Sequence, residues 1–457
     1  MRFCSLMLLV AFTYFHRVAG HIAAGRLDLA AVRSRQPSQG NCITMLSDDV
    51  PIILLAPNAS EQLGGEAMKA LRIFQELKKV HANTHLVVHA RNAAELIGRL
   101  KLPDVHLVPD DAVMVLAWRS RVLSGLVDIW FFKRAIALAE SLAGRLSSDR
   151  RPAILHQTEP NSPVVPRFVS KTFINIIGPI NGNIYYPKVF QSHESLSTQL
   201  RRVLHFPLQR LNALRSGGLR KASLVLVAGG ERTRSSVILS GVEPNRIVDY
   251  IDCGISDDFL ARPRIEHKGK NPHFVQFGRL VFHKGTFLVI EALSKTKNKI
   301  RFDIIGRGPE EQRCRKLVVR LGLSERVNFL GWRESHEHLI NELHNYRAMV
   351  LPTMEDANGI VVQESMALGL PAICLDWGGP QLLIEDGVTG FLVEARDQDY
   401  ITDRLAECMD ALADDGERAD AMSIAGRAVA ENWRWSSFVR GLVEIYGSEL
   451  REDASRR

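Results

Sequence analysis

A pair of cations flanked by glycine lies between a predicted strand and a predicted helix in the second half of the chain. The segment Gly278–Gly285 reads GRLVFHKG and follows an apolar run at 273–277. Glycine permits a sharp turn, and the free amides at a helix start attract phosphate. Arg279 could bind phosphate oxygens through two parallel hydrogen bonds, and Lys284 could add a point charge. We interpret the segment as a candidate diphosphate site, with an ordinary turn carrying two surface cations as the alternative.

Two carboxylates follow another predicted strand. In the segment 352–371, PTMEDANGIVVQESMALGLP, Asp356 precedes a predicted helix and Glu364 lies inside it, eight positions later. Carboxylates accept hydrogen bonds from the paired hydroxyls of ribose and other sugars, so both could face one ligand. The helix start also offers backbone amides to a phosphate or sugar oxygen, namely those of Gly359, Ile360 and Val361. Helix capping by Asp356 and a solvated Glu364 would explain the same residues.

A third loop between a strand and a helix contributes glycine. Gly306 and Gly308 follow the apolar run 302–305 and precede Pro309, which suits the first position of a helix. Because glycine lets the backbone approach a ligand closely, Gly306 is a candidate for donor binding. A tight structural turn is the alternative.

The elements that must position these loops alternate between short apolar runs and longer amphipathic runs from Val50 onward. This alternation is typical of βαβ units and a parallel sheet. A polar, charged stretch at 262–271 interrupts it and is interpreted as a linker. The predicted fold class is therefore α/β, with two Rossmann-like, doubly wound domains, 45–261 and 272–432, facing each other across a cleft. Residues 433–457 are predicted to form a helix that packs back on the first domain.

The composition limits the classes of function. The chain has 457 residues, 46% of them hydrophobic and 24% charged, and a formal net charge of +7. This charge is too modest for a nucleic-acid scaffold and suits diphosphates or an acidic membrane surface. The six cysteines are scattered without a C-x-x-C pair, which argues against a disulfide framework or a zinc site and for a reducing compartment. We predict no metal at His81, His85 and His89, because the last two lie at the ends of a predicted strand.

The N-terminus carries an apolar run, Phe3–Phe15, after Arg2. The run is too short to span a membrane comfortably. We predict that residues 1–44 form an extension, either signal-like or disordered. No later apolar run predicts a transmembrane helix.

A basic region follows the middle of the first domain. From Ser195 to Arg234 the chain has eight Lys or Arg residues and one acidic residue, Glu231. Leucines recur near helical spacing between Leu196 and Leu214. The region could dock on anionic lipid headgroups, which would give peripheral membrane contact. An amphipathic helix packed on the sheet is the alternative, and both interpretations remain open.

Together, the motifs between 273 and 393 resemble the nucleotide-binding half of retaining glycosyltransferase family 4. Their order is G-x-L-x-x-x-K-G, F-x-I-x-G-x-G-P, F-L-G-W at Phe329–Trp332, and an acid-x7-Glu pair at Asp356 and Glu364. The family's usual first Glu is Asp356 here, and Glu355 lies one position away. Which of these two acids contacts the donor sugar therefore stays open.

The first half is similar to the acceptor domain of the same family. The segment 62–66, QLGGE, follows the first strand, where the family places a glycine loop near the donor pyrophosphate, and this implies a donor contact for Gly65. His156 ends a predicted strand where the family often has a His close to the transferred sugar. A hydrogen-bonded structural histidine is the alternative.

The resemblance implies a GT-B fold and a transferase that moves a hexosyl-type sugar with retention of configuration. The implied donor is a nucleotide-diphosphate sugar, with no cofactor and no obligatory metal. His156 would contact the sugar or the acceptor, Asp356 the donor sugar and Glu364 the ribose. Arg279 and Lys284 would neutralise the leaving diphosphate.

The basic region favours a lipid-linked or polysaccharide acceptor. We expect a cytoplasmic protein, at the inner face of the membrane if that region docks there, and no nucleic-acid partner. Two alternatives remain for the function. One is a GT-B enzyme of another kind, such as a sugar-nucleotide epimerase or a phosphorylase, and the other is a non-catalytic nucleotide-sugar-binding protein.

Overall fold

The computed structural model describes most of the chain from residue 46 onward. The N-terminal extension predicted for residues 1–44 lies outside the described residues. The described ranges are 46–63, 65–112, 114–115, 124–146, 152–182, 185–215, 217–269, 272–333 and 335–456.

The first half builds one parallel sheet. Its seven strands, among the described residues, are ordered β3-β2-β1-β4-β5-β6-β7. All neighbouring strands are parallel. The strands are β1 (Ile52–Leu55), β2 (Thr84–His89), β3 (Val105–Val108), β4 (Ala153–Gln157), β5 (Phe173–Ile180), β6 (Leu224–Val227) and β7 (Ile247–Asp249).

Helices cover both faces of this sheet, which explains why β1 and β6 are apolar throughout. Every residue of β1 is buried, as expected for a parallel strand covered on both sides. The helices of this half are α1 (Gly65–Val80), α2 (Ser124–Leu146), α3 (Leu196–Arg215), α4 (Gly218–Lys221) and α5 (Gly230–Leu239). The next helix, α6 (Asp257–Ala261), instead buries Phe259 and Leu260 in the core of the second half.

The second half builds another parallel sheet, of six strands within the described ranges, in the order β10-β9-β8-β11-β12-β13. Its strands are β8 (His273–Phe277), β9 (Arg301–Ile305), β10 (Val327–Gly331), β11 (Ala348–Leu351), β12 (Ala372–Leu375) and β13 (Gly390–Val393). Its helices are α7 (Thr286–Lys295), α8 (Glu311–Arg320), α9 (His336–Leu343), α10 (Ile360–Leu368), α11 (Pro380–Leu383), α12 (Gln398–Asp414) and α13 (Gly416–Ala430). Two doubly wound parallel sheets confirm the predicted α/β fold class.

The last helix, α14 (Trp435–Arg456), returns to the first half. Phe438, Leu442 and Tyr446 are fully or almost fully buried, and they join the hydrophobic core that lies between β1 and α1. The chain thus crosses between the halves twice, and the two crossings touch. The Ile255 amide donates to the Trp433 carbonyl at 2.8 Å.

The histidines of β2 behave as strand residues. His85 and His89 are buried in a six-residue strand, and His85 Nδ1 lies 3.2 Å from His106 Nε2 on β3. Across the described residues, no group of three or more His, Cys, Asp or Glu side chains has the geometry to hold a metal ion. The same part of the chain holds no helix with the length and apolar content needed to cross a membrane.

Candidate active site

Two loops meet where the strand order of the second sheet reverses. β8 and β11 are neighbours in the sheet, although β9 and β10 lie between them in the sequence. In doubly wound sheets, ligands bind at such a switch point, beyond the carboxyl ends of the strands. Gly278–Gly285 follows β8, and the segment 352–359 follows β11. The motifs singled out from the sequence are therefore at the switch point.

An ion pair joins the two loops. Lys284 Nζ lies 2.7 Å from Oδ1 and 2.6 Å from Oδ2 of Asp356. Only 18% and 19% of the two side chains are exposed, so the pair is largely withdrawn from water. The Met354 amide also donates to the His283 carbonyl at 2.7 Å, which ties the loop backbones together. Lys284 is thus held at the switch point with its charge balanced by Asp356.

Arg279 lies in the same loop as Lys284. Its side chain is exposed and has no hydrogen bond or ion pair with the described residues. Burial lowers the pKa of His283, assisted by the charges of Lys284 and Arg279 and opposed by that of Asp356. All three charges therefore act on one imidazole, and the diphosphate contact of Arg279 and Lys284 stays a prediction.

Glu364 lies on α10, the helix that follows the loop of Asp356. Only 16% of its side chain is exposed, and its Oε1 lies 3.9 Å from His336 Nε2. Burial raises the pKa of Glu364 to about 8. A carboxyl in this state is ready to ionise when hydrogen-bond donors arrive, because hydrogen bonds to the charged form stabilise it.

The N-terminus of α10 leaves two backbone amides available. The amides of Val362 and Gln363 donate to the Gly359 carbonyl at 2.8 and 3.2 Å. Those of Ile360 and Val361 have no acceptor in the described part of the chain. Gly359 itself has a left-handed φ of 69°, which turns the loop into the helix. These amides form an anion-attracting helix start beside Asp356.

Glu355 and Asp356 point to different partners. Asp356 pairs with Lys284, whereas the Glu355 carboxylate is 42% exposed and lies 3.7 Å from His283 Nδ1. The Asp356 carboxylate uses one lone pair on each oxygen for Lys284 and retains others that could accept a sugar hydroxyl. Which acid contacts a sugar remains a prediction for both residues.

Gly306 is explained first by a contact between loops. A Cβ at this position would lie 1.8 Å from the Gly278 carbonyl oxygen, and φ is 155°, so no larger residue fits. The loops after β8 and β9 therefore interlock. The donor contact predicted for Gly306 stays a prediction.

The first domain contributes a buried polar network that the sequence did not predict. Lys69 Nζ on α1 donates to Asn161 Oδ1 at 2.7 Å and to Asp252 Oδ1 at 2.8 Å. Cys253, next to Asp252, is within electrostatic range of Glu364, so the network adjoins the second-domain site. The one sequence signal was a lysine on the buried face of an amphipathic helix.

Gly65 is the first residue of α1, which follows the loop after β1. Nothing lies within 4 Å of a Cβ built on Gly65. The glycine is therefore not required by packing, and a role in ligand approach stays a prediction for it.

Comparison with solved structures decides the architecture. The structure of HepE from Anabaena, in complex with UDP, superimposes with a TM-score of 0.59 over 87% of this chain and 100% of that chain, at 17% identity. The chain has the GT-B fold. In this fold, the two Rossmann-like domains each turn the carboxyl ends of their strands toward a shared crevice.

The second domain of this GT-B chain contains the segment that matches a known protein family. The family described as "Glycosyl transferases group 1" matches residues 257–429, which include the switch-point loops.

Two curated relatives match about half of the chain. A GDP-mannose-dependent alpha-(1-6)-phosphatidylinositol monomannoside mannosyltransferase of Mycobacterium tuberculosis is 28% identical over 48% of this chain and 59% of its own length. A D-inositol 3-phosphate glycosyltransferase of Mycobacterium avium is 33% identical over 52% of this chain and 57% of its own length. The chain thus spans less than two thirds of the length of these relatives.

His156 occupies a structural place in this GT-B chain, which corrects the substrate contact predicted for it. Its side chain is fully buried, and both ring nitrogens are already bonded. Nε2 donates to the Gly178 carbonyl at 2.8 Å, so Nδ1 must accept from the Tyr446 hydroxyl at 2.6 Å. Burial lowers the pKa of His156 to about 4, which keeps the ring neutral. The histidine therefore anchors α14 to β4, and it is not positioned to reach a sugar.

A second contact that the sequence did not predict joins the two domains of the GT-B fold. The Arg232 guanidinium, on the first turn of α5, lies 3.4 Å from the centroid of the Trp377 ring. Trp377 Nε1 also donates to the Tyr185 carbonyl at 2.9 Å. The loop after β12 is thus attached to the first domain next to the crevice.

Proposed function

We propose that the chain is a glycosyltransferase that moves a hexosyl-type sugar from a nucleotide-diphosphate sugar to an acceptor, with retention of configuration. The observation that carries this proposal is the arrangement at the second switch point. Arg279, Lys284 and the start of α10 offer positive charge. The Glu364 carboxylate, on α10, can accept hydrogen bonds from hydroxyl groups. These residues lie within the segment that matches the group 1 glycosyl transferases.

The chemistry follows from the charges. Cleavage of the bond between sugar and diphosphate leaves negative charge on the phosphate oxygens, and fixed cations and amides stabilise that charge without reorganising. Lys284 would exchange part of its contact with Asp356 for a phosphate oxygen, and Arg279 would approach from the exposed side. The Asp356 carboxylate would then be available to a hydroxyl of the donor sugar.

We propose that Glu364 accepts hydrogen bonds from the ribose. Its carboxyl is largely withdrawn from water and its pKa is raised to about 8. A pair of hydroxyl donors would favour the ionised form and lower that pKa. This contact would orient the nucleotide so that the diphosphate reaches the cations and the helix start.

No metal enters this proposal, because the cations of the protein supply the charge that a metal would otherwise bring to the diphosphate. The donor of one relative is GDP-mannose by its name, and a similar structure holds UDP. Both support a nucleotide sugar as the donor class. We propose a lipid-linked or polysaccharide acceptor and a site of action at the cytoplasmic face of a membrane.

The experiment is a donor screen. Purified protein is incubated with UDP- and GDP-linked hexoses, and the release of nucleoside diphosphate is measured with and without candidate acceptors. We expect release from one donor class that an acceptor accelerates. Binding without release would indicate a non-catalytic nucleotide-sugar-binding protein, and sugar release that requires inorganic phosphate would indicate a phosphorylase.

Retention has a test of its own. The anomeric configuration of the newly formed glycosidic bond is read by proton NMR. The product is expected to have the configuration of the donor, and an inverted product would exclude the proposed stereochemistry while leaving the transferase activity in place.

A further inference from the structure

Helix α3 (Leu196–Arg215) turns apolar side chains toward solvent. The leucines that do so are Leu196 (84% exposed), Leu200 (59%), Leu204 (41%) and Leu211 (42%). Their spacing of four, four and seven positions places them on one face of the helix. We call this surface the leucine face. A helix on the surface of a globular protein ordinarily turns its apolar face to the core.

The opposite face of α3 is held to the domain by polar contacts. Gln209 is almost fully buried. Its amide donates to Ser240 Oγ at 2.5 Å and to the Ser236 carbonyl, and it accepts from Ser236 Oγ at 2.7 Å. Gln209 and Leu211 are two positions apart and point in roughly opposite directions, because successive residues turn by about 100°. These contacts fix the rotation of the helix, so its leucine face stays outward.

The charge on the helix has one sign. α3 contains four arginines, Arg201, Arg202, Arg210 and Arg215, and no acidic residue. The nearest preceding acid, Glu194, is buried and paired with Arg202 at 2.8 Å. Arg210 is exposed beside Leu211. An outward apolar face on a basic helix without acidic residues is complementary to a bilayer with anionic headgroups.

We propose that the leucine face docks on an anionic lipid bilayer. The leucines enter the boundary between headgroups and acyl chains, and Arg210 contacts lipid phosphates. This inference deepens the proposed function, because it names the surface through which the enzyme would meet a lipid-linked acceptor. It rests on the exposure and charge of α3 alone.

The experiment is co-sedimentation of the full chain with vesicles. Vesicles of phosphatidylcholine and phosphatidylglycerol in equal parts are compared with vesicles of phosphatidylcholine alone. Strong binding is expected to the anionic vesicles, with binding that weakens as salt concentration rises. A double variant, Leu200→Ser with Leu204→Ser, is expected to bind at least tenfold more weakly, as is Arg210→Gln with Arg215→Gln.

Two matched controls carry the same changes on the second domain. Val319→Ser with Ile424→Ser removes exposed apolar side chains, and Lys316→Gln with Arg320→Gln removes exposed charges. Both are expected to bind as the wild type does. Equal binding by the helix variants and the wild type would refute the proposal, because another surface would then hold the vesicle.

Other occupants of the leucine face give different results. A second copy of the chain would appear as a dimer in light scattering that the leucine variant abolishes, with no vesicle binding. Residues 1–45 folded over the face would also leave the wild type unbound to vesicles. Either result overturns the proposal.

The outcome is separable from that of the proposed function. Release of nucleoside diphosphate with a water-soluble acceptor is expected to be the same in the helix variants and the wild type. A chain that binds vesicles through α3 without any turnover would refute the transferase and retain the docking surface. Turnover without vesicle binding would do the reverse.

Discussion

Lys284 and Asp356 set the charge of the crevice before any ligand binds. Their contact uses both carboxylate oxygens, so the lysine is positioned in advance and the cost of ordering its long side chain falls on folding rather than on binding. A diphosphate that arrives there meets a cation whose position is already fixed.

Removal of the lysine tests this positioning. Lys284→Ala is expected to lower kcat/KM for the donor at least tenfold, about 1.4 kcal/mol of transition-state stabilisation. The matched control is Lys295→Ala on the same loop-helix unit, which breaks a similar pair with Asp403 (2.7 Å) on the outer surface. The control is expected to keep the wild-type rate, and an unchanged rate in Lys284→Ala would remove the lysine from the site.

Binding of the donor is expected to release the carboxyl proton of Glu364. Its pKa is raised to about 8 by burial, so below that pH the free protein holds the carboxyl mostly protonated. Ribose hydroxyls favour the ionised form, so donor binding is expected to release a proton and to tighten as pH rises toward about 8, with no further gain above it. Calorimetry of a nucleotide sugar in two buffers of different ionisation enthalpy measures the release.

The matched variant for that measurement is Glu364→Gln, which is expected to bind more weakly and without proton release. Proton release that persists in Glu364→Gln would have to come from another group, and the ribose contact proposed for this residue would be wrong.

Among the elements, the glycine loops differ in whether their packing leaves room for a side chain. A Cβ on Gly306 would meet the Gly278 carbonyl oxygen, whereas a Cβ on Gly65 would meet nothing. Gly306→Ala is therefore expected to lower the free energy of unfolding by about 3 kcal/mol or more. Gly65→Ala is expected to leave it unchanged or to raise it by about 0.4–1 kcal/mol.

Urea unfolding of both variants checks the two values. If Gly65→Ala keeps its stability and still raises KM for the donor, the bare backbone at the start of α1 serves the ligand. A stable Gly306→Ala protein would show that the loops after β8 and β9 do not interlock as described.

The anchoring of α14 by His156 gives a prediction for stability. Tyr446→Phe deletes the hydroxyl that donates to His156 Nδ1 and leaves a buried acceptor unsatisfied, at a cost of about 1–3 kcal/mol. Thermal unfolding is expected at a lower temperature, with kcat and KM for the donor close to those of the wild type. Loss of kcat at unchanged stability would return His156 to a catalytic role.

At the scale of the whole molecule, the fold class followed from the sequence because its cause is local. Short apolar runs alternate with amphipathic ones, and parallel strands buried on both faces require such runs. The glycine motifs fall directly after strands, so their position at the carboxyl ends of the sheet was predictable as well.

The contacts that complete the candidate site and the contact that anchors α14 were not predictable, because they join distant parts of the chain. Lys284 and Asp356 are 72 positions apart, Lys69 and Asp252 183 apart, and His156 and Tyr446 290 apart. Each pairing depends on how helices and loops from different βαβ units pack, and no local pattern encodes that packing. His156 is an example. A histidine at a strand end can contact a substrate or a helix that covers the sheet, and His156 bonds to Tyr446 on α14.

A crystal structure of the protein with a nucleoside diphosphate tests the site most directly. The phosphates are expected within hydrogen-bond distance of Lys284 and Arg279, at the start of α10, with both ribose hydroxyls on the Glu364 carboxylate. A nucleotide bound elsewhere, or one whose phosphates contact neither cation, would contradict the proposed glycosyl transfer at this crevice.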